Sequence, residues 1–563
     1  MMKNKYIALL MTASLSLLSA CGGGSSTTAS TTPAADYSAI WQAIIDHPDQ
    51  AMEIAPTFFY EQPSCMPTPA PVTGLMQVSA TCLEQMYEAA FCQLNAKQGV
   101  TLSSPQCQAN IAYIKSQSGS GNFDLLAKPI LNNPLGVTGV LFQKVNYSTT
   151  VPLPAGPQTF TVSGGLILPQ GITGDKVKGV ITYFHATAFN KSKVGSNFSE
   201  NGETQHVAEV FASQGYIVVI PDYVGQGDDW QNVHPYVLYP QVSNKTAVDM
   251  LSAVAPTIRA AYTGLPSQLK LFSAGYSEGG AYSAWFPSFL QANPSTLDSL
   301  YLFKHSVGME GAYATSAVMK DYLFGNVSFL PLNKYNIEWQ VLPNVSKPLL
   351  SADAFLSYAT YQLGGDMSSV FNADFYNMNC PIGNPPGQDP LCNAVPPTSS
   401  TGPNTQGTIA QAFAQQNKSP AITVLLSALS KTANSSTYPS LASIMNSDLN
   451  SVNSLVSSTL INSGQATLNT VLANAQVNLS SFTSKPVSIL SLDYDSVVTP
   501  NNYSWLLETY PNQIYSHYLL PAQTLQVVSP MSKYLPKPTY VNVDHLQGLT
   551  YEFLYALNIF NQF

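Results

Sequence analysis

The pentapeptide Gly275-Tyr276-Ser277-Glu278-Gly279 constrains this chain more than any other stretch. It ends an apolar run, Leu271-Phe272-Ser273-Ala274, and is followed by Gly280 and a helix-forming segment. The pattern predicts a short buried strand, a sharp G-x-S-x-G turn and a helix beginning near Glu278. A serine hydroxyl is a poor nucleophile in water. It becomes useful when a tight turn holds it clear of its neighbours and a base reaches its proton. Glycine suits positions 275 and 279 because side chains there would collide where backbone passes close to backbone, and because glycine tolerates strained dihedrals. A Gly- and Ser-rich loop can contain the same letters by accident, but it predicts neither the strand before them nor the helix after.

Such a serine needs an acid and then a histidine later in the chain. Only His305, His517 and His545 follow it. His305 precedes any candidate acid and reads as structural. His517 lies in an apolar stretch and reads as a satisfied core residue. His545, in Val543-Asp544-His545-Leu546, is expected in a loop before a C-terminal helix from about Leu549, where an imidazole can bridge acid and nucleophile. For the acid, Leu492-Asp493-Tyr494-Asp495-Ser496 follows a buried strand directly. Asp495 is nearer the loop apex and is chosen, with Asp493 in reserve. Asp544 reads as a turn or cap residue. An oxyanion needs two N–H donors. One is expected from the amide of Glu278, not from its carboxylate, and the other from His185-Ala186-Thr187, at Thr187 or alternatively Ala186. His185 is expected to shape that loop, and Asp222 to hydrogen-bond loop amides.

The rest of the chain is read around this set. Strands are expected over Val137–Tyr147, Phe160–Leu168, Lys178–Phe184, Tyr216–Ile220, Leu302–Met309 and Val487–Leu492, with helices between several of them, including one over Glu203–Gln214. Strands alternating with helices give a mostly parallel sheet covered on both sides, with active residues at the carboxyl ends of strands. Between Gly311 and Lys485 lies far more chain than a connection requires. Residues 314–484 are therefore read as a largely helical cap over the serine. Residues 36–125 read as a mostly helical N-terminal extension, and 126–313 with 485–563 as the core.

At 563 residues the chain is too long for one ordinary core. It is 45% hydrophobic and 11% aromatic but only 9% charged, with net charge −9. That describes a folded chain with a neutral surface, and without a basic stripe nucleic acid is not an expected partner. Residues 1–20 read as an export leader: Lys3 and Lys5, an apolar run too short to span a bilayer comfortably, then Leu18-Ser19-Ala20-Cys21. The last four resemble a bacterial lipoprotein signal, which implies cleavage before Cys21, its lipidation, and an envelope location held by the lipid. Residues 21–35 are a flexible tether. The remaining cysteines, Cys65, Cys82, Cys92, Cys107, Cys380 and Cys392, are even in number, as disulfides in an exported chain require. Cys380 with Cys392 is the expected pair across a Pro/Gly-rich loop, and Cys65–Cys82 with Cys92–Cys107 the preferred pairing of the rest. No metal-ligand spacing accompanies them.

Taken together, His185-Ala186-Thr187, Pro221-Asp222-Tyr223-Val224-Gly225, Gly275-Tyr276-Ser277-Glu278-Gly279-Gly280, Asp495-Ser496-Val497-Val498 and Asp544-His545 resemble the α/β-hydrolase superfamily. The match covers about Val137–Tyr313 and Lys485–Phe563. Within the superfamily the chain looks most like the secretory lipase branch of lipase-A-type enzymes, which place a large helical cap between elbow and acid. The resemblance implies an α/β-hydrolase fold and a serine hydrolase of lipid or other carboxylic esters acting through Ser277, Asp495 and His545, without a cofactor. The chain departs from the common His-Gly pattern of the oxyanion loop, with Ala186 where glycine is usual. The rival readings are a peptidase of the same fold, of prolyl or tripeptidyl type, and a non-catalytic surface lipoprotein.

Overall fold

Among the described residues ten strands join into one sheet: β1 Thr68–Pro69, β2 Met76–Ser79, β3 Gly139–Leu153, β4 Gly156–Gln170, β5 Gly179–Phe184, β6 Tyr216–Pro221, β7 Leu269–Tyr276, β8 Tyr301–Met309, β9 Val487–Leu492 and β10 Ile514–Leu520. The structure is a computed structural model, and it describes residues 68–69, 76–79, 135–188, 191, 193–230, 232–320, 341–366, 368–371, 457, 459–460, 464–493, 495, 497–520 and 545–563. The spatial order is β1-β2-β3-β4-β6-β5-β7-β8-β9-β10. Pairings from β1 through β4 to β6 are antiparallel, and those from β6 through β5 to β10 are parallel.

The central strands are continuous apolar runs because they are buried on both faces. β5, β6 and β9 are buried at every position. Alternate residues feed two cores. Val180, Ile217 and Val219 point to one, while Ile181, Val218 and Ile220 point to the other. The first core is closed by α2 (Pro240–Ala261) and α3 (Glu278–Ala292), through Val248, Leu251, Tyr282 and Phe286. The second is closed by α1 (Gly202–Val210) and the C-terminal helix, His545–Phe560, through Val207, Phe553 and Phe560. This is the mostly parallel, helix-flanked α/β-hydrolase architecture that the motifs implied.

Of the insertion, the structure describes a π-helical turn at Thr315–Met319, α4 (Val341–Gln362) and α5 (Gln465–Ala475). α4 packs on the first core through Ala354, Phe355 and Tyr358. After β9 comes α6 (Asn501–Thr509), and the C-terminal helix is α7. The described part of the N-terminal extension differs from the helical expectation: β1 and β2 prolong the sheet beyond β3, the edge of the core. The expected helices there, Cys21, the six other cysteines and their pairings, and Asp544 all lie outside the described residues. Two further corrections concern the C-terminal part. His517 lies in β10, a parallel strand at the end of the described sheet, and is exposed there, not a core residue as expected; His545 is the first residue of α7 instead of a loop residue.

The sheet order decides where chemistry can occur. From β5 the chain moves outward to β6, then returns past β5 to begin β7 on its other side. Connections from these strands diverge there and leave a crevice at the carboxyl ends. The register sets Phe184 of β5 beside Gly275 of β7, Tyr276 beside Met309 of β8, and Met309 beside Leu490 of β9. The residues immediately after these four strand ends therefore converge.

Candidate active site

The turn after β7 is tighter than the sequence reading supposed. A Cβ on Gly275 would sit 2.1 Å from the carbonyl oxygen of Gly279, and one on Gly279 would sit 1.9 Å from that of Phe184. No side chain fits either gap. The glycines serve close approach only, since neither takes a positive φ; the strained dihedral falls on Ser277 itself, with φ 56° and ψ −118°. Such a conformation costs about 1–3 kcal/mol and persists where the surroundings over-determine it. Here the Ser277 amide donates to the Met309 carbonyl at 2.9 Å, and α3 begins at the next residue.

The side chains of Ser277, His545 and Asp495, far apart in sequence, form one hydrogen-bonded line. His545 Nε2 lies 2.8 Å from Ser277 Oγ, and His545 Nδ1 lies 2.5 Å from Asp495 Oδ2. With a carboxylate accepting at Nδ1, that nitrogen carries the proton and Nε2 presents its lone pair to the serine hydroxyl. The other oxygen of Asp495 accepts the amides of Val497 and Val498 at 2.6 and 2.8 Å, which fixes the carboxylate plane. Ser277 is only 7% exposed, and His545 and Asp495 are buried. The Tyr276 hydroxyl donates to the His545 carbonyl and so ties the start of α7 to the end of β7.

The remaining candidates fall elsewhere. The Asp493 amide donates to the Leu520 carbonyl at 2.8 Å, pairing the ends of β9 and β10. His305 Nε2 bonds Ser488 Oγ at 2.8 Å, and His517 Nδ1 bonds the Tyr503 hydroxyl at 2.7 Å. Desolvation pulls the imidazole of His305 down to about 3 and that of His517 below the usual histidine range. Asp222 accepts the Ser196 amide at 2.8 Å and the Ser163 hydroxyl at 2.6 Å, as a loop-organising carboxylate should. The ring of His185 stacks on Tyr223 at 4.1 Å, and its Nδ1 meets the Ala186 carbonyl at 2.6 Å.

The two alternatives for the second amide donor separate on a residue the sequence reading passed over. Glu203, in the first turn of α1, accepts the Ala186 amide at 2.9 Å and the Tyr183 hydroxyl at 2.6 Å. Burial raises its carboxyl above the usual range. The Ala186 N–H is thus engaged inward, while that of Thr187 has no partner among the described residues. The Glu278 amide, first in α3, lacks an intrahelical acceptor. The carboxylate of Glu278 is engaged as well: Oε1 meets His234 Nε2 at 2.6 Å and accepts the Tyr282 hydroxyl at 2.7 Å. This side chain holds the start of α3 against the β6–α2 connection, a structural part the sequence reading did not assign to it.

An apolar pocket opens above Ser277, lined by Tyr236, Val237, Ala312, Met319, Leu350 and Leu472 among others. Met319, Leu350 and Leu472 come from the insertion, which therefore supplies part of the surface facing the serine.

No family model matches the sequence, and no curated protein matches it. Among solved structures the chain is similar to a protein of Legionella pneumophila subsp. pneumophila described as a candidate hydrolase, with 17% identity and a TM-score of 0.49 over 78% of this chain and 94% of that one. It is also similar to the rice cell wall degrading esterase LipA of Xanthomonas oryzae in a ligand-bound form, with 16% identity and a TM-score of 0.48 over 73% of this chain and 91% of that one. For Candida antarctica lipase A the identity is 13% and the TM-score 0.43, over 76% of this chain and 87% of that one.

Proposed function

We propose that this chain is a serine hydrolase that cleaves carboxylic esters through an acyl-enzyme. The observation that carries the reading is the line from Asp495 through His545 to Ser277, at 2.5 and 2.8 Å. Ser277 Oγ attacks the ester carbonyl while His545 Nε2 takes its proton, and Asp495 stabilises the imidazolium that forms. The developing oxyanion faces the amides of Glu278 and Thr187. His545 returns the proton to the departing alkoxide as the carbonyl reforms, which leaves acyl-Ser277. A water then repeats the sequence, giving up one proton to His545, and the acid is released with the serine restored.

Ester substrates are favoured over peptides by the pocket. It presents apolar surface to the serine, which suits an acyl chain, and the carboxylate nearest the nucleophile in sequence, Glu278, is turned inward onto His234 and Tyr282. A series of 4-nitrophenyl esters of rising acyl length, assayed beside aminoacyl 4-nitroanilides, is expected to give turnover on the esters only. Faster anilide than ester cleavage would replace this reading with a peptidase.

The N-terminal residues belong to the same proposal: export, lipidation at Cys21 and retention at the cell envelope, with the tether separating lipid from enzyme. Expression of Cys21→Ala beside the parent chain should move the protein from the membrane pellet to the soluble fraction. An unchanged distribution would remove the lipid anchor from the proposal.

A further inference from the structure

Asp495 belongs to a group of three buried carboxyls. Glu310 follows β8 directly, in a left-handed conformation with φ 48° that a residue other than glycine adopts only when held there. Its amide donates to the Leu490 carbonyl at 3.1 Å. One ligating atom each from Glu310, Asp495 and His545 lie within 4.8 Å of one another. Glu552 stands seven residues along α7 from His545, on the same helix face. Both of its carboxyl oxygens are buried without a hydrogen-bond partner among the described residues, and its carboxyl and those of Glu310 and Asp495 are near enough to act on one another's protonation. Glu310 and Glu552 are 1% and 0% exposed.

The groups facing this chain of carboxyls are His545 on α7, Tyr276 of β7, and Tyr313 beyond β8. Burial pushes both phenols far above their usual value, so neither supplies charge. Among the described residues no lysine or arginine acts on Glu310 or Glu552. Three buried carboxyls without a cation cannot all ionise, because each further charge is opposed by desolvation and by its neighbours. Asp495 has the donors that suit a carboxylate: two amides and the His545 ring. Glu552 has no donor at all among the described residues, and burial pushes it up to about 8. Glu310 accepts the Leu492 amide on one oxygen and the Ser491 hydroxyl on the other, contacts that its acid form keeps because a protonated carboxyl retains acceptor lone pairs beside its hydrogen. Burial, then the nearby carboxylates, raise it well above the usual range. Both ring nitrogens of His545 are already engaged, so the trio reads as proton chemistry and not as a metal site.

We propose that Glu310 remains protonated and donates its carboxyl hydrogen to Asp495, acting as a positioning residue that holds this carboxylate against His545, with Glu552 behind it as a second neutral carboxyl. The inference rests on the serine-hydrolase reading. It also has a pH consequence. As Glu552 loses its proton near pH 8, the charge draws the Glu310 hydrogen away from Asp495, and the rate falls on the alkaline side.

The test measures the rate of Ser277 labelling by a fluorophosphonate, with kcat and KM for 4-nitrophenyl butyrate, between pH 6 and 10. An amide N–H can stand in for the carboxyl hydrogen, so Glu310→Gln should stay within about 3-fold of the parent, whereas Glu310→Ala should lose roughly tenfold or more in kcat at unchanged KM. Glu552→Gln should abolish the fall above pH 8. A Gln variant as slow as the Ala variant, or an Ala variant as fast as the parent, would overturn the proposal. Should Glu310→Ala not fold, the Glu552→Gln profile decides, and an unchanged alkaline fall overturns it. A parent protein that takes no label at any pH fails at the hydrolase reading itself, which is a different result.

Discussion

Ser277→Ala is expected to abolish covalent labelling by fluorophosphonate and to lower ester turnover by at least about 10,000-fold. The magnitude follows from what the substitution removes. His545 keeps its bond to Asp495, and the amides of Glu278 and Thr187 keep their places, but no atom remains to form the acyl intermediate. What survives is the stabilisation those amides give to direct attack by water. The loss should not come from misfolding, because the Ser277 hydroxyl has His545 as its partner and packs no core. Circular dichroism and a urea unfolding midpoint are expected to match the parent. Stoichiometric label on the folded Ser277→Ala protein would place the nucleophile elsewhere and end the serine-hydrolase reading as stated.

Asp495→Asn should cost nearly as much, roughly 10,000-fold in kcat with KM little changed. Asparagine preserves shape, and its amide oxygen can still accept the Val497 and Val498 amides that Asp495 accepts at 2.6 and 2.8 Å. The –NH2 group then points at His545 Nδ1. A donor there reverses the imidazole tautomer, so that Nε2 carries the hydrogen and presents no lone pair to Ser277. The measurement is single-turnover acylation with a 4-nitrophenyl ester. A loss smaller than tenfold would mean that another carboxyl orients His545.

The legible parts of the molecule were those where local sequence and tertiary role coincide. β5, β6 and β9 could be read because both faces are buried, which leaves unbroken apolar runs. The turn at Ser277 could be read because steric crowding admits only glycine on either side of it. Asp495 and His545 followed from chain order once the serine was placed. What escaped notice depends on long-range company. Glu310 looks like any residue after a strand, and Glu552 like any polar position in a helix, until α7 docks beside β8. Glu203 reads as a helix N-terminal acid, and only the fold brings it to the Ala186 amide. β10 mixes Tyr515, Ser516 and His517 with apolar residues because one edge strand faces two environments. His545 was expected in a loop because a helix that begins at the functional residue leaves no local signal separate from the loop before it.

The spacing of the relay has a consequence in time. Ser277 and His545 are separated by 268 positions, and Asp495 and His545 by 50. The three side chains meet only after β7, β8 and β9 have aligned and α7 has packed its Phe553 against Tyr276. Contacts of such long range form late, because the entropy of closing the chain must be lost before they contribute. A partly folded chain therefore exposes a serine without a base. On the proposed hydrolase reading, reactivity is one of the last products of folding, and an immature copy is expected to be chemically inert before then.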